Sequence, residues 1–150
     1  MKKIILALVV IAVLVPAAAL AAAPAQNPTD FCKDNPGLIG AGKLYANFGA
    51  CVTAQADKQE VNTTNAAKTC KAERALGADA FKAKYGTNKN KANAFGKCVS
   101  KIASAKTAQQ QSAEVSAAKK CRTPENAANI GAGKTWRNFG ACVKAQSKTG

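Results

Sequence analysis

The chain has 150 residues, with 22 lysines and arginines against eight acidic residues, six cysteines and no histidine, for a net charge of +14. Without histidine the usual general base is absent, and so is the commonest metal ligand, which argues against acid–base catalysis and metal-centred chemistry. The cationic excess points instead to anionic polymers or surfaces.

In chain order, Lys2 and Lys3 precede an unbroken apolar run from Ile4 to Val15. Small residues follow and end in Ala23-Pro24-Ala25, a pattern suited to a signal peptidase, and Ala19-Leu20-Ala21 fits equally. Residues 1–25 therefore read as an export signal. The apolar run is shorter than the roughly 20 residues a bilayer span needs. The expectation is a cleaved leader, a secreted or envelope location and no spanning segment afterwards.

The rest of the chain says one phrase three times. Cys32 to Cys51 closes on Phe48-Gly49-Ala50-Cys51-Val52, Cys70 to Cys98 on Phe95-Gly96-Lys97-Cys98-Val99, and Cys121 to Cys142 on Phe139-Gly140-Ala141-Cys142-Val143. A period of roughly 45 residues indicates a tandem array, with copies over 27–56, 65–106 and 117–148 in one mature unit. Exported thiols oxidise, and an even cysteine count reads as a disulfide framework. Six cysteines permit 15 pairings in principle. With two per copy, the repeat selects Cys32–Cys51, Cys70–Cys98 and Cys121–Cys142. No C-x-x-C pair is present, so the cysteines do not read as a zinc site.

Large apolar residues are sparse after Ala25, and 17 of the 19 lie near the cysteine loops. Each cluster is too thin to fold alone. A bridge closing a loop of about 20 to 30 residues contributes on the order of 3 kcal/mol, comparable to the whole stability of such a core.

Tyr45, Phe48 and Val52 recur at helical spacing, as do Phe95, Val99 and Ile102, and Trp136, Phe139 and Val143. The phenylalanine before each second cysteine is expected to pack beside the disulfide. The glycine between them suggests close approach of another backbone. Val52 to Ala75 and Val99 to Lys120 have helical composition. In the first, Asn62-Thr63-Thr64-Asn65 is a weak point, and Asp57 with Glu60 is a candidate capping box. That segment is either one long helix, which the composition favours, or two helices broken near 57–65. Gly77 opens a short segment with Phe81 and Tyr85 on one face, residues 86–90 read as a turn, and Thr123-Pro124-Glu125 reads as a helix start. The predicted fold is all-α: antiparallel long helices, three in number, joined by short turns and pinned by three intra-repeat disulfides.

Asn93-Ala94-Phe95-Gly96-Lys97-Cys98-Val99-Ser100, with Lys84-Tyr85-Gly86-Thr87-Asn88 upstream, resembles a repeat of exported bacterial proteins that carries no assigned activity. The first and third copies depart from it between their cysteines. The resemblance implies export and the cysteine pattern only.

Charge is unevenly placed. Residues 27–64 hold three lysines against four acidic residues, a net of −1, while 65–108 hold ten basic against two acidic, a net of +8, and 109–150 seven against two, a net of +5. Nearly all the cations are lysine, a hydrated point charge suited to loose attraction rather than forked phosphate recognition. The bland reading is solubility.

Residues 128–135 mimic a phosphate loop, with Gly133, Lys134 and Thr135 in order, but no strand precedes them and no nucleotide is expected. Gly42, Lys43, Gly133 and Lys134 remain as candidate anion-binding helix starts; the plainer reading is a turn that needs glycine. From Ile39 to Gln55 and from Ile130 to Gln146, 13 of 17 positions match, which marks a duplication. Asn62-Thr63-Thr64 is a glycosylation sequon. Trp136 and Tyr45 read as core residues rather than as stacking platforms for nucleic acid. No specific nucleic-acid site and no cofactor is expected. The functional expectation is a non-enzymatic exported cationic protein held to anionic envelope polymers. The alternative is a secreted interaction module, an inhibitor or effector, acting through its cysteine loops.

Overall fold

A computed structural model describes residues 24–148, so most of the expected export segment lies outside the described residues. Over that range the fold is all-α: α1 Pro28–Asp34, a 3-10 turn at Pro36–Leu38, α2 Phe48–Leu76, α3 Ala78–Tyr85, α4 Ala94–Cys121, α5 Pro124–Ala127 and α6 Phe139–Gln146. No described helix is long and apolar enough to cross a membrane.

The two long helices, 29 and 28 residues, pack against each other. Their cross-contacts run in opposite directions along the chain, from Gln55 with Glu114, through Asn62 with Thr107, to Cys70 with Cys98, so the pair is antiparallel. The third long helix expected from the sequence is not formed. Its place is taken by α6, eight residues long, packed on α4. The reason is local. Asn47 and Asn138 accept hydrogen bonds from the backbone N–H of Ala50 and Ala141, capping α2 and α6. Tyr45 and Trp136 therefore fall before the helices. Each sits in a loop bridged to Ile39 or Ile130, and neither belongs to a helical stripe.

The segment 62–65 does not break α2. Asn62 is buried and donates across the seam to Thr107 Oγ1 and Gln110 Oε1, while Thr63 and Thr69 return their hydroxyls to carbonyls four residues earlier. Asp57 and Glu60 lie inside the helix, so no capping box forms there.

All three disulfides pair within their copies, and no described cysteine is free. The cores are two. Copies one and three share a cluster that includes Phe31, Leu38, Tyr45, Cys51, Cys121 and Val143, with Ala117 and Ala118 of α4 between them. Copy two builds its own cluster at the opposite end of the helix pair, from Cys70, Phe81, Tyr85, Ala94 and Cys98. Phe95 and Phe139 pack against these clusters as expected, but Phe48, the first residue of α2, is 43% exposed.

Between the clusters the seam is polar where a hydrophobic stripe would ordinarily run. Tyr45 donates its hydroxyl to Glu114 Oε2 at 2.7 Å, and Gln55 Nε2 donates to both at 2.8 Å. Lys58 completes the group with an ion pair to Glu114. Nearby, Gln26 is clamped by its backbone. Its N–H donates to Gln111 Oε1 at 2.9 Å, and its carbonyl accepts from Gln111 and Gln59. This clamp ties the segment before α1 to both long helices.

Candidate functional site

The second copy presents the densest charge. α2 carries Lys68, Lys71 and Arg74 into this end, α3 carries Lys82 and Lys84, the following turn Lys89 and Lys91, and α4 Lys97, Lys101 and Lys106. All ten side chains are exposed. The buried positions at this end are taken by Cys70, Phe81, Tyr85, Ala94 and Cys98, and every lysine and arginine lies off them. The Cys70–Cys98 bridge closes a 28-residue separation and holds the ends of α2 and α4 together. Phe81 and Tyr85 rings lie 5.0 Å apart beneath the turn. The turn is braced by Asn93, whose side chain accepts from the Thr87 N–H and donates to Thr87 Oγ1. Gly86 is needed here, because a side chain would collide with the Lys82 carbonyl and with Lys91.

Few of these charges are neutralised. Lys84 pairs with Glu73 at 2.5 Å and Lys82 with Asp79 at 3.8 Å. Hydrogen bonds from Lys84, then from Tyr85, hold the Glu73 carboxyl below its ordinary range, and the same partner raises the Lys84 ammonium. Arg74 stacks on the Phe95 ring at 5.3 Å. The other seven lysines have no ion pair among the described residues. Such a surface attracts polyanions by its summed field, which ionic strength screens.

The glycine loops are turns rather than helix starts. Gly40, Gly42, Gly131 and Gly133 have φ of 131°, 71°, 143° and 72°, a region that favours glycine. The helices begin only at Phe48 and Phe139, so the expected anion-binding helix starts at Gly42-Lys43 and Gly133-Lys134 are corrected. The first loop is occupied from within. The Gly140 N–H donates to the Gly42 carbonyl at 2.9 Å, and Phe139 lies between Lys43 and Arg122, 4.5 and 5.4 Å from its centroid. A side chain at Gly140 would strike the Lys43 carbonyl. Close backbone approach, expected at all three Phe-Gly elements, occurs at this one.

The buried polar group at Tyr45 is the arrangement that sequence reading missed. Burial, then the charge of Glu114 and its hydrogen bond, push the Tyr45 hydroxyl far above its ordinary value. A phenol so held is a donor and cannot serve as a base. Its neighbours are consumed by one another, so the cluster fixes the register of α2 on α4 and offers nothing to a substrate. The signal was present in Thr107, Gln111 and Glu114, a polar stripe at helical spacing. Among the described residues no group of acidic or cysteine side chains is placed to hold a metal. No protein-family model matches the chain, and no curated protein or solved structure matches it.

Proposed function

We propose that the chain is an exported, non-enzymatic cationic protein that associates with anionic polymers of the cell envelope through the basic end formed by residues 65–108. The observation that carries this reading is the exposure of all ten cations of that segment on a disulfide-stapled end, only two of them ion-paired among the described residues. Lysines on rigid helices offer many weak, interchangeable contacts, which suits an irregular polyanion better than a single shaped ligand. The disulfides are compatible with an oxidising compartment outside the cytoplasm.

The test uses long-chain polyphosphate as the probe. Lys68, Lys71, Lys97 and Lys101 are changed together to glutamine, and a control changes Lys119, Lys120, Lys144 and Lys148. The first variant is expected to lose affinity by about ten-fold or more and the control by less. Equal losses would place the interaction in net charge alone. A parent protein that does not bind the probe at low salt would overturn the reading.

A further inference from the structure

The first and third glycine loops are built alike and used differently. Each closes through matching backbone bonds, Gly40 N–H to the Tyr45 carbonyl and Gly131 N–H to the Trp136 carbonyl, both 2.8 Å. Their glycine dihedrals agree within about 12°, from 131° and 71° to 143° and 72°. Within the chain the first loop receives the start of α6, with Phe139 under Lys43 and Gly140 against the loop carbonyls. Among the described residues no backbone hydrogen bond or cation–ring contact from another helix reaches the third loop. The space above Gly133 is open to 4 Å, where the equivalent point above Gly42 meets Asn138 at 3.7 Å. Lys134 and Thr135 are exposed.

The first copy carries the matching plug, unused. Asn47 caps α2 as Asn138 caps α6. Phe48 is exposed, and Gly49 meets nothing except the side chain of Asn47. Among the described residues nothing crowds Gly49, and Phe48 is left 43% exposed.

We infer that the protein associates with a second copy of itself head to tail, the start of α2 in one copy docking on loop 131–135 of the next as α6 docks on loop 40–44 within one chain. Lys134 then stands over Phe48 as Lys43 stands over Phe139. Lys33, which follows Cys32 as Arg122 follows Cys121, supplies the second cation. Gly49 gives the close backbone approach that Gly140 gives internally. The partners are complementary in charge, since 27–64 is net −1 and 109–150 net +5. Plug and loop are different surfaces, so the contact is heterologous and extends chains unless its rotation closes a ring. The contact is small, so association is weak in solution and gains from concentration on a polymer.

Sedimentation velocity of the oxidised protein from about 10 μM to about 1 mM tests this, that range bracketing a small weak interface. A sedimentation coefficient that rises with concentration is expected, with Gly49→Ala shifting the association midpoint by about ten-fold or more and Gly96→Ala leaving it in place. Both substitutions fall at helical sites with room for a methyl group, and unchanged circular dichroism checks the fold. A photocrosslinking amino acid in place of Thr135 is expected to capture residues 47–49 of the neighbour. A protein monomeric throughout the range, a Gly49→Ala variant that associates like the parent, or capture mapping to residues 93–97 would overturn the proposal.

Discussion

Replacing Tyr45 by phenylalanine isolates the polar clasp between the long helices. The hydroxyl is buried, donates to Glu114 and accepts from Gln55 and Lys58. Its removal leaves Glu114 with Gln55 and Lys58 still in place, so no charge is stranded. A charge-assisted hydrogen bond in such a setting contributes about 1.5 to 3 kcal/mol, and part of it is recovered by the remaining donors, so a loss of about 1 to 2 kcal/mol is expected near neutral pH. The pH dependence is more diagnostic. The Tyr45 hydroxyl titrates far above its ordinary value in the folded chain and near 10 when unfolded. Because the folded value is the higher, this contribution is fully present below about pH 10 and is lost as pH rises beyond it, by about 1.4 kcal/mol per pH unit. Parent and Tyr45→Phe variant should therefore converge in stability above about pH 10, measured by urea unfolding at fixed temperature. Parallel stability curves from about pH 8 to 11 would refute the reasoning, because they would mean that Tyr45 titrates alike in both states.

Glu114→Ala strands the Tyr45 hydroxyl and loosens Lys58, and is expected to cost about 3 kcal/mol, more than Tyr45→Phe; denaturant midpoints decide it. Gly140→Ala drives a methyl group into the Lys43 backbone and should cost about 1 to 3 kcal/mol, whereas Gly96→Ala, with nothing within 4 Å, should be neutral or stabilise by up to about 1 kcal/mol. Changing Cys70 and Cys98 to alanine should cost about 3 kcal/mol locally. Hydrogen exchange is then expected to accelerate in α3 and the adjoining helix ends, with the shared core of copies one and three still protected, because the two clusters are separate.

The disulfide pairing was readable because each copy carries its own two cysteines, and α2 was readable as one helix from its alanine, lysine and glutamine content. The loss of the third long helix was not. Tyr45, Phe48 and Val52 have helical spacing, but a loop of Gly-Ala-Gly-Lys ends four residues before the Asn47 cap, and spacing alone does not distinguish a stripe from a turn that happens to match it. The division of labour between copies was equally hidden. Copies one and three match closely in sequence, yet one supplies the loop and the other the plug. That assignment depends on where α4 carries Cys121, a long-range consequence of how the helices pack. Residues 27–64 thus supply half of a core that copy three completes. The basic end was legible from charge counts. That its ten cations lie wholly on the surface required the structure.

The most direct measurement of the central claim is the affinity of the oxidised protein for long-chain polyphosphate as a function of salt. Association through the exposed lysines of residues 65–108 gives a linear fall of log K with log salt, about ten-fold or more between roughly 50 and 200 mM. An affinity unchanged across that range, or no binding at the lower salt, would contradict it.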